Sequence, residues 1–181
     1  MTKRVNKLMF LTLLTVLLTT FSFAEDPQVI DAKVNVAIQK FEKEKGASDF
    51  LSKAYAVLIF PSVVKGGFVV GAEYGEGALR VDGNTTAYYR IASGSVGFQI
   101  GLQKTSYLFA FGSKSAFDNF TKSNGWEAGV DGSITVAKWG AGKDLSSISF
   151  EKPIYAFVFG AKGFMYNLTF EGTKFTKIHS K

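Results

Sequence analysis

Few side chains in this sequence form the groupings that catalysis or metal binding requires. The only histidine, His179, stands close to the end of the chain and is interpreted as an exposed tail residue. A histidine-based triad or metal site is therefore not expected, and we predict no metal and no cofactor. The chain has no cysteine, which excludes disulfides and thiol chemistry. Ser133 has no base beside it in the sequence and is interpreted as a strand residue.

The carboxylates and glycines do not form a catalytic or nucleotide-binding pattern. Gly71, Gly75 and Gly77 are not spaced as G-x-G-x-x-G, and no helical pattern follows them. Lys104-Thr105 lacks the upstream glycine of a phosphate-binding loop. The carboxylates are sparse and mostly turn-like, at Asp82, Asp118, Asp131 and Asp144. If the chain were an enzyme, its catalytic groups could only be carboxylates, serines or tyrosines. We predict that it is not an enzyme.

The first 24 residues have the features of an export signal. An apolar run from Leu8 to Phe23 is diluted by threonines, and Ser22 and Ala24 fit the −3 and −1 positions of a signal peptidase site. The alternative is an uncleaved membrane anchor, for which the run is short. We therefore predict cleavage after Ala24 and a periplasmic or cell-envelope location. The signal begins with the basic residues Lys3, Arg4 and Lys7.

The remaining segment, residues 25–181, is predicted to be a single domain. The whole chain of 181 residues has a formal net charge of +6. Removing the three basic residues of the signal leaves 18 basic against 15 acidic residues, a net charge of about +3. This excess allows attraction to an anionic surface, but we predict no nucleic acid partner, since that usually needs a denser basic patch.

A helix is predicted over "EDPQVIDAKVNVAIQKFEKEKG". Asp26 can cap its free amides, Pro27 suits the first turn, and Gly46 suits a left-handed position at the end. An apolar stripe recurs at helical spacing, and it either packs on a sheet or lies against a membrane. The stripe consists of Ile30, Val34, Ala37, Ile38 and Phe41. Lys33, Lys40 and Lys43 occupy one flank together with Val29 and Val36, whereas Asp31 and Glu42 occupy the other.

The rest of the domain is predicted to be a glycine-rich, strongly twisted antiparallel sheet with one or two short helices. The predicted strands are a run stopping at Pro61, then Gly67–Ala72, Gly77–Val81, Thr85–Ala92, Gly94–Leu102 and Ser106–Phe111, with a turn at Asp82-Gly83-Asn84. Together with the first helix they indicate an α+β fold whose sheet closes into a barrel or half-barrel. The glycines are predicted to mark bends or close approaches, at Gly66, Gly67, Gly71, Gly75, Gly77 and Gly97.

Four segments resemble the signatures of the SYLF domain family. They are "FLSKAYAVLIFPSVVKGGFVVGAEYGEGAL", "SYLFAFGSKSAFDNF", "WEAGVDGSITV" and "PIYAFVFGAKGFMYNLTFEGTKF". The resemblance spans about Ile30 to Ile178. It implies a lipid-binding module, since eukaryotic relatives bind phosphoinositide membranes partly through an N-terminal amphipathic helix, and some bind actin. A signal peptide and a single domain resemble the exported bacterial members, although the cysteine of a lipoprotein signal is missing. An exported protein does not routinely meet actin, so actin is not expected as a partner.

Two functions follow as expectations. The first is peripheral binding to an anionic phospholipid surface, with the protein partner, if any, unknown. Its predicted lipid-binding residues are Ile30, Lys33, Val34, Ile38, Lys40, Phe41 and Lys43. The second is a structural or carrier protein that holds an apolar ligand inside an aromatic-rich barrel. A filled interior would favour surface binding, and an empty one would favour the carrier.

Overall fold

The computed structural model describes residues 24–67, 70–96, 103–137, 144–160, 163–165 and 168–180. The predicted signal peptide therefore lies outside the described residues, except for Ala24, and so does Gly97. Among the helices in the described ranges, none is both long enough and apolar enough to cross a membrane.

Three α-helices and nine strands make up the described part of the chain. The helices are α1 (Pro27–Phe41), α2 (Ala47–Lys53) and α3 (Lys114–Thr121). The strands are β1 (Ala56–Gly67), β2 (Val70–Val81), β3 (Asn84–Val96), β4 (Gln103–Phe111), β5 (Gly125–Glu127), β6 (Thr135–Val136), β7 (Ile154–Gly160), β8 (Gly163–Met165) and β9 (Lys174–Ser180). A 3₁₀ turn at Leu145–Ser147 precedes β7.

The strands form one sheet in the order β5-β9-β3-β2-β1-β4-β7-β6, with β8 also paired to β7. The sheet curls into a half-barrel, and the predicted α+β class is confirmed. Neighbouring strands are antiparallel except at one edge, where β6 runs parallel to β7. The expectation of a purely antiparallel sheet is wrong at that pair.

Each face of the curled sheet carries its own apolar cluster, because side chains alternate along a strand. Leu58 points into the cluster covered by α3, and the adjacent Ile59 points into the cluster covered by α1 and α2. Large aromatic side chains fill both. On the α3 side they include Phe60, Phe109, Phe120, Trp126 and Phe175.

The first helix begins at the predicted place and ends earlier than predicted. The Asp26 carboxylate accepts a hydrogen bond from the Gln28 amide at 2.8 Å, and Pro27 opens the helix. The helix ends at Phe41, and Gly46, with φ +78°, instead precedes α2. The left-handed conformation expected of Gly46 is present, but it belongs to the start of the next helix.

The strand boundaries predicted at Pro61 and between the glycines are wrong. Strand β1 continues through Pro61 to Gly67, and its register with β4 shifts between Phe60 and Val63. Proline lacks an amide donor, and a bulge is a place within a sheet that tolerates this. Similarly, β2 runs unbroken from Val70 to Val81 across Gly71, Gly75 and Gly77. At the β1–β2 end of the sheet, Gly66 pairs with Ala72 and Gly67 with Gly71.

The predicted Asp82-Gly83-Asn84 turn is confirmed as the connection between β2 and β3. Val81 pairs with Asn84, so two residues form the loop. Asp82 has φ +48° and Gly83 has φ +77°. Positive φ at both central residues is the geometry of a tight hairpin turn, and glycine adopts it without steric cost.

Gly77 lies where β2 passes close to the backbone of β1. A Cβ at this position would overlap the carbonyl oxygen of Ile59 and come within 2.8 Å of Phe60 Cδ1. We expect Gly77→Ala to lower the free energy of unfolding by about 1–3 kcal/mol through overpacking. Gly94→Ala in β3 is the matched control, since a Cβ there meets no atom within 4 Å. Equal denaturant midpoints for the two variants would contradict the close approach.

Candidate functional site

The apolar stripe of α1 packs on the sheet. Ile30, Val34 and Phe41 are each 0% exposed. The Phe41 ring lies 5.1 Å from that of Phe157 in β7 and 5.6 Å from that of Phe159. Ile38 is half-buried at the edge of the same cluster. Of the two arrangements left open by the sequence, the structure has the sheet-packed one, and in it Ile30, Val34 and Phe41 are covered by the sheet.

Polar contacts also hold α1 on the sheet. The Asp31 carboxylate accepts hydrogen bonds from the Thr85 hydroxyl at 2.7 Å and from the Tyr88 hydroxyl at 2.8 Å. The Arg80 guanidinium lies 3.6 Å away. On the acidic flank of the helix, Asp31 is thus satisfied by β2 and β3, whereas Glu42 is exposed. The sequence placed Asp31 on this flank but gave no sign of its partners, which lie about fifty residues further along the chain.

The opposite side of α1 faces outward and carries the predicted lysines. Lys33, Lys40 and Lys43 are exposed. Val29 and Val36 lie among them and are 42% and 51% exposed. We call Val29, Lys33, Val36 and Lys40, together with Lys43 in the turn that follows the helix, the outer face of α1. The Lys33 ammonium pairs with the Glu25 carboxylate, so its charge is partly offset.

A groove of about 510 Å³ continues from the outer face onto the sheet. We call it the basic groove. Lys40 and Lys43 line one wall, and Lys104 of β4 stands among the residues of the other. None of these three lysines forms an ion pair with a residue that the structure describes. The lining is completed by Glu44, Pro61, Ser62, Thr105, Ser106, Phe159 and Gly160.

The basic groove concentrates positive charge. Three lysines and one carboxylate, that of Glu44, line a cleft whose remaining exposed surface is mostly apolar. Such an arrangement attracts anions, especially those with several oxygens, through charge-assisted hydrogen bonds. Sequence reasoning identified Lys40 and Lys43 but not Lys104, because only the pairing of β1 with β4 places β4 beside the end of α1.

The face of the sheet turned toward α3 is filled with aromatic rings. Phe109 lies 5.0 Å from Phe170 and 5.2 Å from Phe175, and Tyr107 lies 5.3 Å from Phe170, each measured between ring centroids. Stacked and edge-on rings at these separations are in direct contact. In the described part of the chain this packing favours surface binding over a ligand held within the half-barrel.

The titratable groups inside the sheet are engaged in structural contacts. Glu73 receives the Lys65 ammonium at 2.6 Å and a hydrogen bond from the Tyr107 hydroxyl at 3.2 Å. Burial, followed by the charge of Glu73, raises the pKa of Tyr107. Burial also raises the pKa of Tyr89 to about 12. Both phenols therefore stay protonated near neutral pH.

The residues considered for chemistry do not come together. His179 lies within β9, paired with Tyr88 of β3, so its interpretation as a tail residue is wrong. Ser133 is exposed in the segment before β6 rather than in a strand. No three His, Cys, Asp or Glu residues in the described ranges cluster in a way that could hold a metal ion.

The fold and the site together define an α+β half-barrel domain with a basic, partly apolar helix face beside an anion-attracting groove. Residues 92–180 match the Ysc84 family, described as Las17-binding protein actin regulator. This is the SYLF domain family, and the predicted resemblance is confirmed over residues 92–180, from the last residues of β3 to β9. Lys104 lies within the matched segment, and α1 precedes it. Comparison with curated proteins gives no significant match.

Proposed function

We propose that the chain is an exported, peripheral binding protein for anionic lipid surfaces, and that it contacts them through the outer face of α1 and the basic groove. The observation that carries the proposal is the convergence of Lys40, Lys43 and Lys104, from two distant parts of the chain, on one groove. Two exposed valines lie on the same outer face of the helix as Lys40. The family that residues 92–180 match is lipid- and actin-binding, which supports a lipid partner.

The proposed contact places the helix on the membrane surface without removing it from the sheet. Inserting Ile30, Val34 and Phe41 into lipid would expose the sheet cluster that they cover. The outer face needs no such rearrangement. Each lysine near an anionic surface contributes about 1 kcal/mol. The two valines can add at most about 1.5–3 kcal/mol each when fully buried. Binding of this kind is weak, reversible and sensitive to salt.

Vesicle co-sedimentation tests the proposal directly. Residues 25–181 should sediment with vesicles containing anionic phospholipid and remain in the supernatant with purely zwitterionic vesicles. Binding should weaken as salt rises, because the screening length falls from about 10 Å at 0.1 M to about 3 Å at 1 M. Equal sedimentation with both vesicle types, or binding that salt leaves unchanged, would contradict an electrostatic surface contact.

Export itself is open to a separate measurement. The mature protein from its native host should begin at Glu25, since Ser22 and Ala24 fit the peptidase and the apolar run is short. Intact mass spectrometry distinguishes this chain from one that begins at Met1. A protein that retains residues 1–24 in the host would refute cleavage after Ala24 and leave the lipid part of the proposal standing.

A further inference from the structure

A nearly buried carboxylate stands beside the predicted cleavage point. The Glu76 side chain, in the middle of β2, is 6% exposed. Its Oε1 accepts a hydrogen bond from the Tyr74 hydroxyl at 2.6 Å and pairs with the Arg90 guanidinium at 3.1 Å. Its Oε2 accepts a hydrogen bond from the backbone nitrogen of Glu25 at 2.6 Å. One oxygen is therefore used by the sheet and the other by the residue at which the mature chain would start.

Glu25 is fixed on both sides. Its backbone nitrogen reaches across 51 positions of sequence to Glu76, and its own carboxylate pairs with Lys33 in the second turn of α1. Asp26 then caps the helix. Two contacts thus position the segment ahead of α1: the backbone N–H of Glu25 donates to a carboxylate, and the side chain of Glu25 pairs with an ammonium group. The apolar stripe of α1 could pack on the sheet without either contact.

We propose that Glu76 is the receptor for the α-ammonium group that cleavage after Ala24 creates at Glu25. The inference rests on the proposed export, because an uncleaved chain has a neutral amide at this nitrogen. Cleavage replaces one neutral N–H donor with a positively charged group carrying three N–H bonds. The hydrogen bond to the Glu76 carboxylate is charge-assisted before and after cleavage, and cleavage adds the attraction between the new positive charge and the carboxylate, which is stronger in this nearly buried setting than in water. Processing therefore strengthens the attachment of α1 to β2.

The surroundings fit an ammonium group. The nearby charges are the carboxylates of Glu25 and Glu76 and the cations of Lys33 and Arg90, which are already paired with them. A cavity of about 260 Å³, lined in part by Glu25, Lys33, Ser62, Tyr74 and Glu76, adjoins the nitrogen. Pro61, Val64 and Gly75 complete its lining, and the two N–H bonds that do not point at Glu76 have space for water there.

Four matched proteins test the inference. One chain starts at Glu25 and another retains Ser22-Phe23-Ala24, which moves the ammonium three residues away; each is made with Glu76 intact and with the substitution Glu76→Gln. Removal of a fusion partner that leaves no extra residue gives these termini without export. With Glu76 intact, the chain starting at Glu25 should melt about 2–4 °C higher, as expected for about 1 kcal/mol in a domain of this size. In the Glu76→Gln pair the difference should vanish. Equal melting temperatures with Glu76 intact, or a difference that persists in the Glu76→Gln pair, would overturn the inference.

A second measurement does not depend on the Glu76→Gln substitution, which also removes the charge opposite Arg90. An amine-directed acylating reagent should modify the α-amine of the chain starting at Glu25 at least several-fold more slowly than that of the longer chain, since only a free, deprotonated amine reacts. Peptide mass spectrometry after brief labelling reads both rates. Equal rates would show that the terminus is not held by Glu76. Lipid binding is not involved in either measurement, so its failure would not affect this test.

Discussion

Phe41→Ala is expected to lower the free energy of unfolding by about 3–5 kcal/mol, the usual cost of truncating a fully buried aromatic side chain. Phe41 is 0% exposed and ends α1 against the rings of Phe157 and Phe159. Its removal leaves a cavity between the helix and β7. It also removes contacts between aromatic rings, which stabilise the protein beyond the burial of apolar surface area. Chemical denaturation monitored by circular dichroism gives the change in midpoint.

Val36→Ala is the matched control on the same helix. Val36 is 51% exposed on the outer face, and alanine has the higher helix propensity. The expected change is within about 0.5 kcal/mol of zero, as for other exposed sites. If Phe41→Ala melted like the wild type, α1 would not depend on its packing against the sheet. Phe41 would then be free to contact lipid, as one reading of the sequence proposed.

The parts of the fold that local chemistry specifies could be predicted from the sequence. The start of α1 follows from an aspartate cap and a proline in the first turn, and both act within four residues. The β2–β3 hairpin follows from the Asp82-Gly83 pair, which suits a two-residue turn. The α+β class follows from one amphipathic helix ahead of strand-like runs without βαβ alternation.

The parts that depend on neighbouring strands could not be predicted. Pro61 normally ends a strand, but here a register shift beside it lets β1 continue. Gly75 and Gly77 interrupt the apolar pattern and therefore suggested a break in β2. Strand β2 is unbroken, whereas the close approach predicted for these glycines is present at Gly77, where the β1 backbone leaves no room for a Cβ; at Gly75 the nearest β1 atoms are 3.0 Å from a Cβ position. The sequence shows that a side chain is absent at these positions, but the backbone that leaves no room for one at Gly77 belongs to another strand.

The candidate site shows the same division. Helical spacing alone gathered Lys33, Lys40 and Lys43 on one flank. It could not decide whether the apolar stripe beside them faces the sheet or a membrane, because both need the same periodicity. Lys104 and Glu76 escaped notice since their roles arise from strand pairing, which brings residues far apart in sequence to the two ends of α1.

Reversing the charges at one end of the basic groove should abolish most vesicle binding. In Lys40→Glu/Lys43→Glu, two attractive contacts worth about 1 kcal/mol each are lost and two repulsive ones appear. Affinity for anionic vesicles should therefore fall by at least roughly 25-fold, since 1.4 kcal/mol corresponds to a factor of ten. Neither lysine forms an ion pair with a described residue, so the melting temperature should stay close to that of the wild type.

A second double variant separates the site from net charge. Lys114→Glu/Lys122→Glu lowers the net charge equally, but these lysines belong to α3 and its end, and α3 covers the opposite face of the sheet. The pair between Lys114 and Asp118 is exposed and contributes little to stability. This control should bind anionic vesicles within a few-fold of the wild type. The single variant Lys104→Glu then distinguishes the basic groove from the outer face of α1. A loss of vesicle binding shows that the anionic group enters between α1 and β4, as proposed. Binding equal to that of the wild type confines the contact to the outer face. Equal losses from the two double variants would mean that binding depends only on the net charge of the protein. Neither the outer face of α1 nor the basic groove would then be a lipid-binding site.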